Sequence, residues 1–299
     1  MSAGKGSLLE RAATVYDFGD AFRARHDAPP VTAPRAVVEE VAPAPVRFVA
    51  PDKVPAPVRV PIDPLLLEAG GLIIPGAPAT PLAEEMRLAK RQLLLNARAL
   101  SGKVGDRSRA VLVTSPQPNE GKTFCAMNLA LSLAAEREGA VLLIDADVAK
   151  PDVLGRLGLG DGPGLLDALA DPAIAIEELI VPTDCGTLSV LGAGTRSHAD
   201  TELLASSRLG ALLDRLLAAD PQRLVIFDSP PALAASAAAA LALQVGQVVL
   251  IARADRTGET DLREAVALLD GCPSISLLLN AITFTAGPRR FGYYGMEDA

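Results

Sequence analysis

Three short stretches carry residues whose types and spacing suit the handling of a phosphate. The first reads VLVTSPQPNEGKTFCAMNLALSL, residues 111–133. An apolar run enters a proline-punctuated loop, and Gly121, Lys122 and Thr123 open a helix. Backbone N–H groups at a helix start cradle phosphate oxygens, a lysine there neutralises β/γ charge, and the threonine hydroxyl suits Mg²⁺. Pro118, Asn119, Glu120 and Phe124 complete the expected ATP-binding stretch. The strict pattern GxxxxGK[ST] asks for glycine at 116, where this chain has Pro116. The second stretch, VLLIDADVAKPDV (141–153), puts Asp145 and Asp147 at the carboxyl end of an apolar run, where open α/β sheets place their ligands. The third, LVIFDSPPAL (224–233), ends another such run on Asp228, placed to hold Mg²⁺ through water or to accept a bond from Thr123. Each has a plainer reading alone: a chance tripeptide, a helix-capping or solvated acidic pair, a strand-terminal Asp. In this order they converge on one phosphate site.

The elements that must position these residues are legible as alternating strands and helices. Strands are expected at Ala110–Thr114, Ala140–Asp145, Thr187–Leu191, Arg223–Asp228, Val245–Ala252 and Ser274–Leu279. Helices are expected from the 121 loop to about Glu136, and at Arg208–Ala219, Ala232–Leu243 and Glu259–Leu269. Short apolar strands alternating with helices predict an α/β fold of the P-loop NTPase type, a mostly parallel sheet covered on both faces. Ahead of it, PLAEEMRLAKRQLLLNARAL (81–100) has helical periodicity. Leu88, Leu94, Leu95 and Ala99 are expected to face a core, with Glu84, Arg87, Lys90 and Arg91 outward. The predicted organisation is a short helical segment over 1–28 and a proline-rich linker outside the fold over 29–80. The catalytic-type domain follows over 81–285, with a flexible tail at 286–299. The linker holds roughly half of the chain's 24 prolines, and proline cannot join a sheet interior.

Composition excludes several classes. The 299 residues carry a formal net charge of −8 without a basic run of five, so no nucleic-acid partner is expected. Three scattered cysteines and two histidines have no metal-type spacing. The N-terminus lacks a signal-type apolar region, and 231–252, the most apolar stretch, is broken by Gln244, Gly246 and Gln247. A soluble, cytoplasmic protein is expected. With aromatics at 3%, Ala, Leu and Val must fill the core.

The order SPxxxEGKT, hhhhDxDxxxP, hhhDSPP resembles the bacterial tyrosine kinases, P-loop proteins related to the MinD and ParA ATPases and tied to capsule and exopolysaccharide synthesis. The resemblance covers about residues 80–299 and is strongest to the autokinases of exosortase-linked polysaccharide systems, which carry a similar EExRxxKRxLLxNA segment. It implies ATP and Mg²⁺ as cofactors, with Lys122 and Thr123 on the phosphates and metal, and Asp145 helping to deprotonate an acceptor hydroxyl. Asp147 and Asp228 would complete the metal shell. It implies phosphoacceptors Tyr293 and Tyr294 in the tail RRFGYYGMEDA, phosphorylated in trans. A homo-oligomer would form through Glu84, Arg87 and Lys90 or Arg91, and a membrane polysaccharide co-polymerase would recruit the chain to the inner face of the plasma membrane. Asn280 matches a position that can help read the base, or it starts a turn. Three positions depart from the pattern: Asn119 stands for a usual glycine, Ala149 for a usual arginine, and the tyrosine cluster is sparse. Two other readings stay open. A MinD/ParA-like positioning ATPase would carry a lysine where Gln117 stands, and a kinase-inactive, nucleotide-dependent assembly factor is compatible with few tyrosines.

Overall fold

The computed structural model describes residues 58–136 and 139–282. The predicted helix within 1–28, residues 29–57 and the tail with Tyr293 and Tyr294 lie outside them. Seven strands form one sheet in the order β3-β4-β2-β5-β1-β6-β7. They are β1 (Ala110–Thr114), β2 (Val141–Asp145), β3 (Val181–Pro182), β4 (Leu188–Leu191), β5 (Leu224–Asp228), β6 (Gln247–Arg253) and β7 (Ile275–Asn280). Every pairing is parallel except β3 with β4. The central strands are buried along their whole length, so successive side chains are shared between two cores. Leu112, Leu142, Ile144, Val225 and Phe227 enter one. Val111, Val113, Val141, Leu143 and Ile226 enter the other. This is the α/β architecture expected from the alternation of elements.

Helices cover both faces. On the second core lie α1 (Pro64–Ala69), α2 (Pro81–Val104) and α3 (Lys122–Ala134); α4 (Val153–Arg156) adds Val153 there. The first core is covered by α5 (Leu165–Ala170), α6 (Ile176–Leu179), α7 (Asp200–Ala205), α8 (Ser207–Ala219), α9 (Ser236–Ala242) and α10 (Glu259–Leu268). A 3₁₀ turn, Gly105–Arg109, leads from α2 into β1. There Arg107 donates to both Asp214 oxygens at 2.7 and 2.8 Å, tying the turn to α8.

Two expectations are corrected. The stretch 58–80 was assigned to a linker outside the fold; it packs on the sheet. Val60 N–H donates to Pro182 O at 2.8 Å and Val60 O accepts from Asp184 N–H at 3.1 Å, adding a bridge beyond edge strand β3. Ile62, Leu67 and Leu72 are buried, and Ile73 N–H donates to the Asn128 side chain on α3 at 2.8 Å. The prolines do not oppose this. Pro64 and Pro81 open α1 and α2, where the missing donor costs nothing, behind N-caps Asp63 and Thr80.

The buried stripe of α2 is also rotated from the expected one. It comprises Met86, Lys90, Leu93, Ala97 and Leu100, while Leu88, Leu95 and Ala99 are exposed and Leu94 is half-buried. Lys90 therefore points inward rather than outward. Its ammonium reaches Ser132 O at 3.0 Å and Glu136 Oε1 at 2.8 Å, so the apolar stem lies in the interface while the charge is satisfied at its edge. Arg91 remains exposed, and Arg87 pairs with Glu84 at 2.6 Å on the surface.

Replacing Leu67 tests the corrected boundary. Leu67→Ala should lower unfolding stability by about 2–5 kcal/mol, read as a shifted urea midpoint. A linker outside the fold would leave the midpoint unchanged.

Candidate functional site

The loop between β1 and α3 is fixed by its own backbone geometry and by struts from three directions. Asn119 (φ 64°) and Gly121 (φ 98°) both adopt left-handed conformations, which asparagine and glycine tolerate best. A Cβ on Gly121 would lie 2.0 Å from Asn280 Nδ2, so a larger residue there would have to push the Asn280 amide off Glu120 O as well as hold a left-handed φ. The Glu120 carboxylate is buried and turned into the loop. It accepts Gln117 N–H at 2.8 Å and the Thr257 hydroxyl. Arg253 donates to Asn119 O at 3.0 Å and Asn280 donates to Glu120 O at 2.9 Å. From the β5 side, Ala232 N–H donates to Ser115 O at 2.8 Å. The loop therefore arrives preformed at the start of α3, a 13-residue helix whose first N–H groups have no partner within the helix. Together with the helix dipole they favour an anion.

The carboxylates stand on neighbouring strands. Strands β2, β5 and β1 are adjacent, and Asp145 and Asp228 are direct cross-strand partners at the ends of β2 and β5. Asp145 accepts three backbone N–H bonds, from Asp147 at 3.2 Å, Asp152 at 3.0 Å and Val153 at 3.1 Å. Burial nevertheless pushes its pKa up to about 6, the amides opposing the shift. Burial likewise raises Asp228 to about 7, against the Lys122 charge and a Thr123 hydroxyl bond. Asp228 Oδ1 is buried and has no partner among the described residues. Lys122 reaches across to Asp147 Oδ2 at 2.5 Å. The Cys125 thiol, one turn into α3, is pushed up to about 12 by burial, with Asp228 adding to the effect; it is a core side chain.

Two clefts meet at these residues. One, of about 470 Å³, is bordered by Pro118, Asn119, Gly121 to Phe124, Asp147, Lys150 and the prolines after β5. The other, of about 350 Å³, is bordered by Asp145, Asp161 and Arg196; Asp152 borders both. A larger cavity, about 680 Å³, opens beside Arg98 and Arg109 at the amino ends of the strands and touches none of Asp145, Asp147 and Asp228. Volume alone would misplace the site, whereas converging polar groups locate it.

The structure thus gathers Lys122, Thr123, Asp145, Asp147 and Asp228 in one place, with Pro118, Asn119 and Gly121 to Phe124 along one cleft and Glu120 buried behind the loop rather than lining it. Asn280 is brought to the loop too, with its amide nitrogen on Glu120 O. Arg253, Thr257 and Arg196 carried no sequence signal; they come from loops far along the chain, and only the tertiary fold delivers them. Glu84, Arg87 and Arg91 lie on α2.

No family model matches the chain. Among curated proteins, the tyrosine-protein kinase YwqD of Bacillus subtilis is 32% identical over 192 residues, covering 64% of this chain and 79% of that protein. The chain belongs to the bacterial tyrosine-protein kinase family. A putative tyrosine-protein kinase of this family, EpsB of Ralstonia nicotianae, is 32% identical over 61% of this chain, which spans only 24% of EpsB. The solved kinase domain of VpsO is 32% identical, with a TM-score of 0.52, covering 64% of this chain and 96% of that domain. The chimerical protein CapA2B2 shares the fold at 23% identity, with a TM-score of 0.59 over 72% of this chain and 97% of that one. Among the described residues, no helix is long and apolar enough to cross a membrane.

The raised Asp228 makes stability depend on pH in a fixed direction. Its folded pKa lies above the unfolded value near 3.9, so the folded state binds the extra proton between about pH 4 and 7 and loses stability as pH rises through that window. In protein freed of nucleotide and divalent cations, Asp228→Asn should raise stability at pH 8 by about 1–3 kcal/mol. The gain should shrink towards pH 5 in calorimetric scans.

Proposed function

We propose that this chain is an ATP-dependent tyrosine autokinase that transfers the γ-phosphoryl group to Tyr293 and Tyr294 of a neighbouring copy and thereby controls exopolysaccharide or capsule synthesis and export. One observation carries the reading. A phosphate-binding helix start and three strand-end carboxylates converge, and one of those carboxylates, Asp145, lines a second cleft beside the nucleotide cleft. A simple ATPase needs only the first cleft. The names of the relatives support kinase chemistry.

In this reading the backbone N–H groups of the 119–124 stretch hold the β- and γ-phosphates, and Lys122 swings from Asp147 to the transferring group. Asp145 takes the phenol proton as the tyrosine oxygen bonds to phosphorus and the bond to the bridging oxygen breaks, releasing ADP. Such a transfer depends mainly on positioning and charge neutralisation. Among the described residues no group of three His, Cys, Asp or Glu side chains is arranged to hold a metal. That fits Mg²⁺, which takes few protein ligands beside water and phosphate. The orphaned Asp228 Oδ1, the Thr123 hydroxyl and, once Lys122 has moved, Asp147 would hold it. When bound it would supply neutralisation of phosphate charge. Copies would associate through the α2 face bearing Glu84, Arg87 and Arg91, with Lys90 contributing only to the packing of α2. A membrane co-polymerase would recruit the assembly.

The test is phosphate transfer itself. Full-length protein given MgATP should acquire phosphotyrosine at Tyr293 and Tyr294, mapped by mass spectrometry. Lys122→Met should cut the label by about 100-fold or more. A chain carrying Tyr293→Phe and Tyr294→Phe should take up no label at those positions yet retain ATP binding. ATP binding without label on either tyrosine, even with the partner's cytoplasmic part present, would sink the kinase reading in favour of an assembly factor.

A further inference from the structure

We propose that the cleft bordered by Asp145, Asp161 and Arg196 seats the acceptor segment, and that Arg196 selects it by pairing with the acidic residues that follow the acceptor tyrosines. The inference rests on the autokinase reading and adds a specificity determinant to it.

The cleft is placed for an acceptor. Asp145 borders it and Asp152 is shared with the nucleotide cleft, so a phenol seated here lies between the base and the phosphate loop. Its volume of about 350 Å³ is at the small end for ligand sites, enough for a side chain with flanking backbone. Pro151 and Leu154 give it apolar wall, and Gly155, Gly162 and Gly194 let a peptide backbone approach.

Arg196 is mounted as a fixed recognition group. The segment leaving β4 is braced on both sides of it. The Asp167 carboxylate accepts Gly164 N–H at 2.7 Å and Thr195 N–H at 3.0 Å, bonds that offset its desolvation and hold it below its ordinary pKa. Asp200 Oδ1 accepts the Ser197 N–H at 2.7 Å and its hydroxyl at 3.0 Å. Gly194 takes a left-handed turn (φ 86°) where a Cβ would strike the Asp167 carboxylate. The guanidinium donates to Ala149 O at 3.3 Å, bringing it beside the Asp145–Asp152 stretch. It is solvent-facing and makes no ion pair among the described residues. It is also the only basic side chain among the described residues lining the cleft. With one guanidinium N–H spent on Ala149 O, the remaining four donors have no carboxylate and are an invitation to one.

The chain's own acceptor segment has the matching pattern. Glu297 and Asp298 follow Tyr293 and Tyr294 closely, while Arg289 and Arg290 precede them. The cleft offers Arg196 at one wall and Asp152 and Asp161 at others.

The experiment uses the full chain carrying Tyr293→Phe and Tyr294→Phe as enzyme and a synthetic peptide of residues 286–299 as acceptor. Arg196→Ala should raise the peptide KM by about 3- to 30-fold and leave the ATP KM and kcat unchanged, with Arg196→Lys restoring part of the loss. Peptide carrying Glu297→Gln and Asp298→Asn should show the same penalty on the parent enzyme and little further loss on Arg196→Ala, the non-additivity expected of partners. Additive penalties, an unchanged peptide KM, or a change confined to kcat or the ATP KM would overturn the proposal. Anisotropy of the labelled peptide separates the two readings. Binding that weakens with Arg196→Ala in a chain that transfers no phosphate upholds the seat and defeats the kinase. Transfer with Arg196-independent binding does the reverse.

Discussion

A parallel sheet buried on both faces sends the carboxyl ends of its strands the same way, and in this chain two adjacent ends carry aspartate while a third runs into the phosphate loop. Strands β2, β5 and β1 lie side by side. Asp145 and Asp228 therefore face each other across one ladder rung, and the Gly121 loop rises from the next strand. No loop has to search for this arrangement. It follows from register, which is fixed because both faces of these strands are apolar and a one-residue slip would turn Leu, Val and Ile into the wrong core.

That economy creates an electrostatic problem. Three carboxylates share a confined space, and only one of them, Asp147, is bonded to a lysine. Lys122 is drawn to Asp147, while Asp228 keeps an unpartnered oxygen and an elevated pKa. A site with unmet demand for positive charge is poised for a cation and preorganised donors, which is how electrostatic catalysis avoids reorganisation during reaction. The second network, of Glu120, Thr257, Arg253 and Asn280, keeps the phosphate loop from relaxing into that charge.

Much of this was legible from residues 111–133, 141–153 and 224–233, because strand burial and helix starts leave local signatures. Six of the seven strands appear within about two residues of the expected positions, as boundary uncertainty allows; the short antiparallel edge strand β3 was not expected. What was not legible depends on tertiary context. Lys90 looked like a surface charge because its partners, Ser132 O in α3 and Glu136 just past the end of that helix, sit more than forty residues on. Residues 58–80 looked like a spacer because they continue the proline-rich run ahead of them; the burial of Ile62, Leu67 and Leu72 decides otherwise. Arg196 gave no motif at all, since its significance comes from a loop braced by Asp167 and Asp200. The Asn280 amide, expected either at a base or in a turn, lies against Gly121.

The bridge at Val60 has a mechanical consequence. Its two backbone bonds to Pro182 and Asp184 run alongside the Arg59 donation to Gly186 O at 2.6 Å and the Ile62 N–H bond to Asp184. A pull on the chain ahead of Val58 would load these contacts together in shear along the outer rim of the sheet. The next attachments inward are Leu67 and then Ile73 on α3, the helix that begins at Lys122. The segment is a graded strain relief: tension is resisted first at the rim, six strand places from β7, before any of it reaches α3.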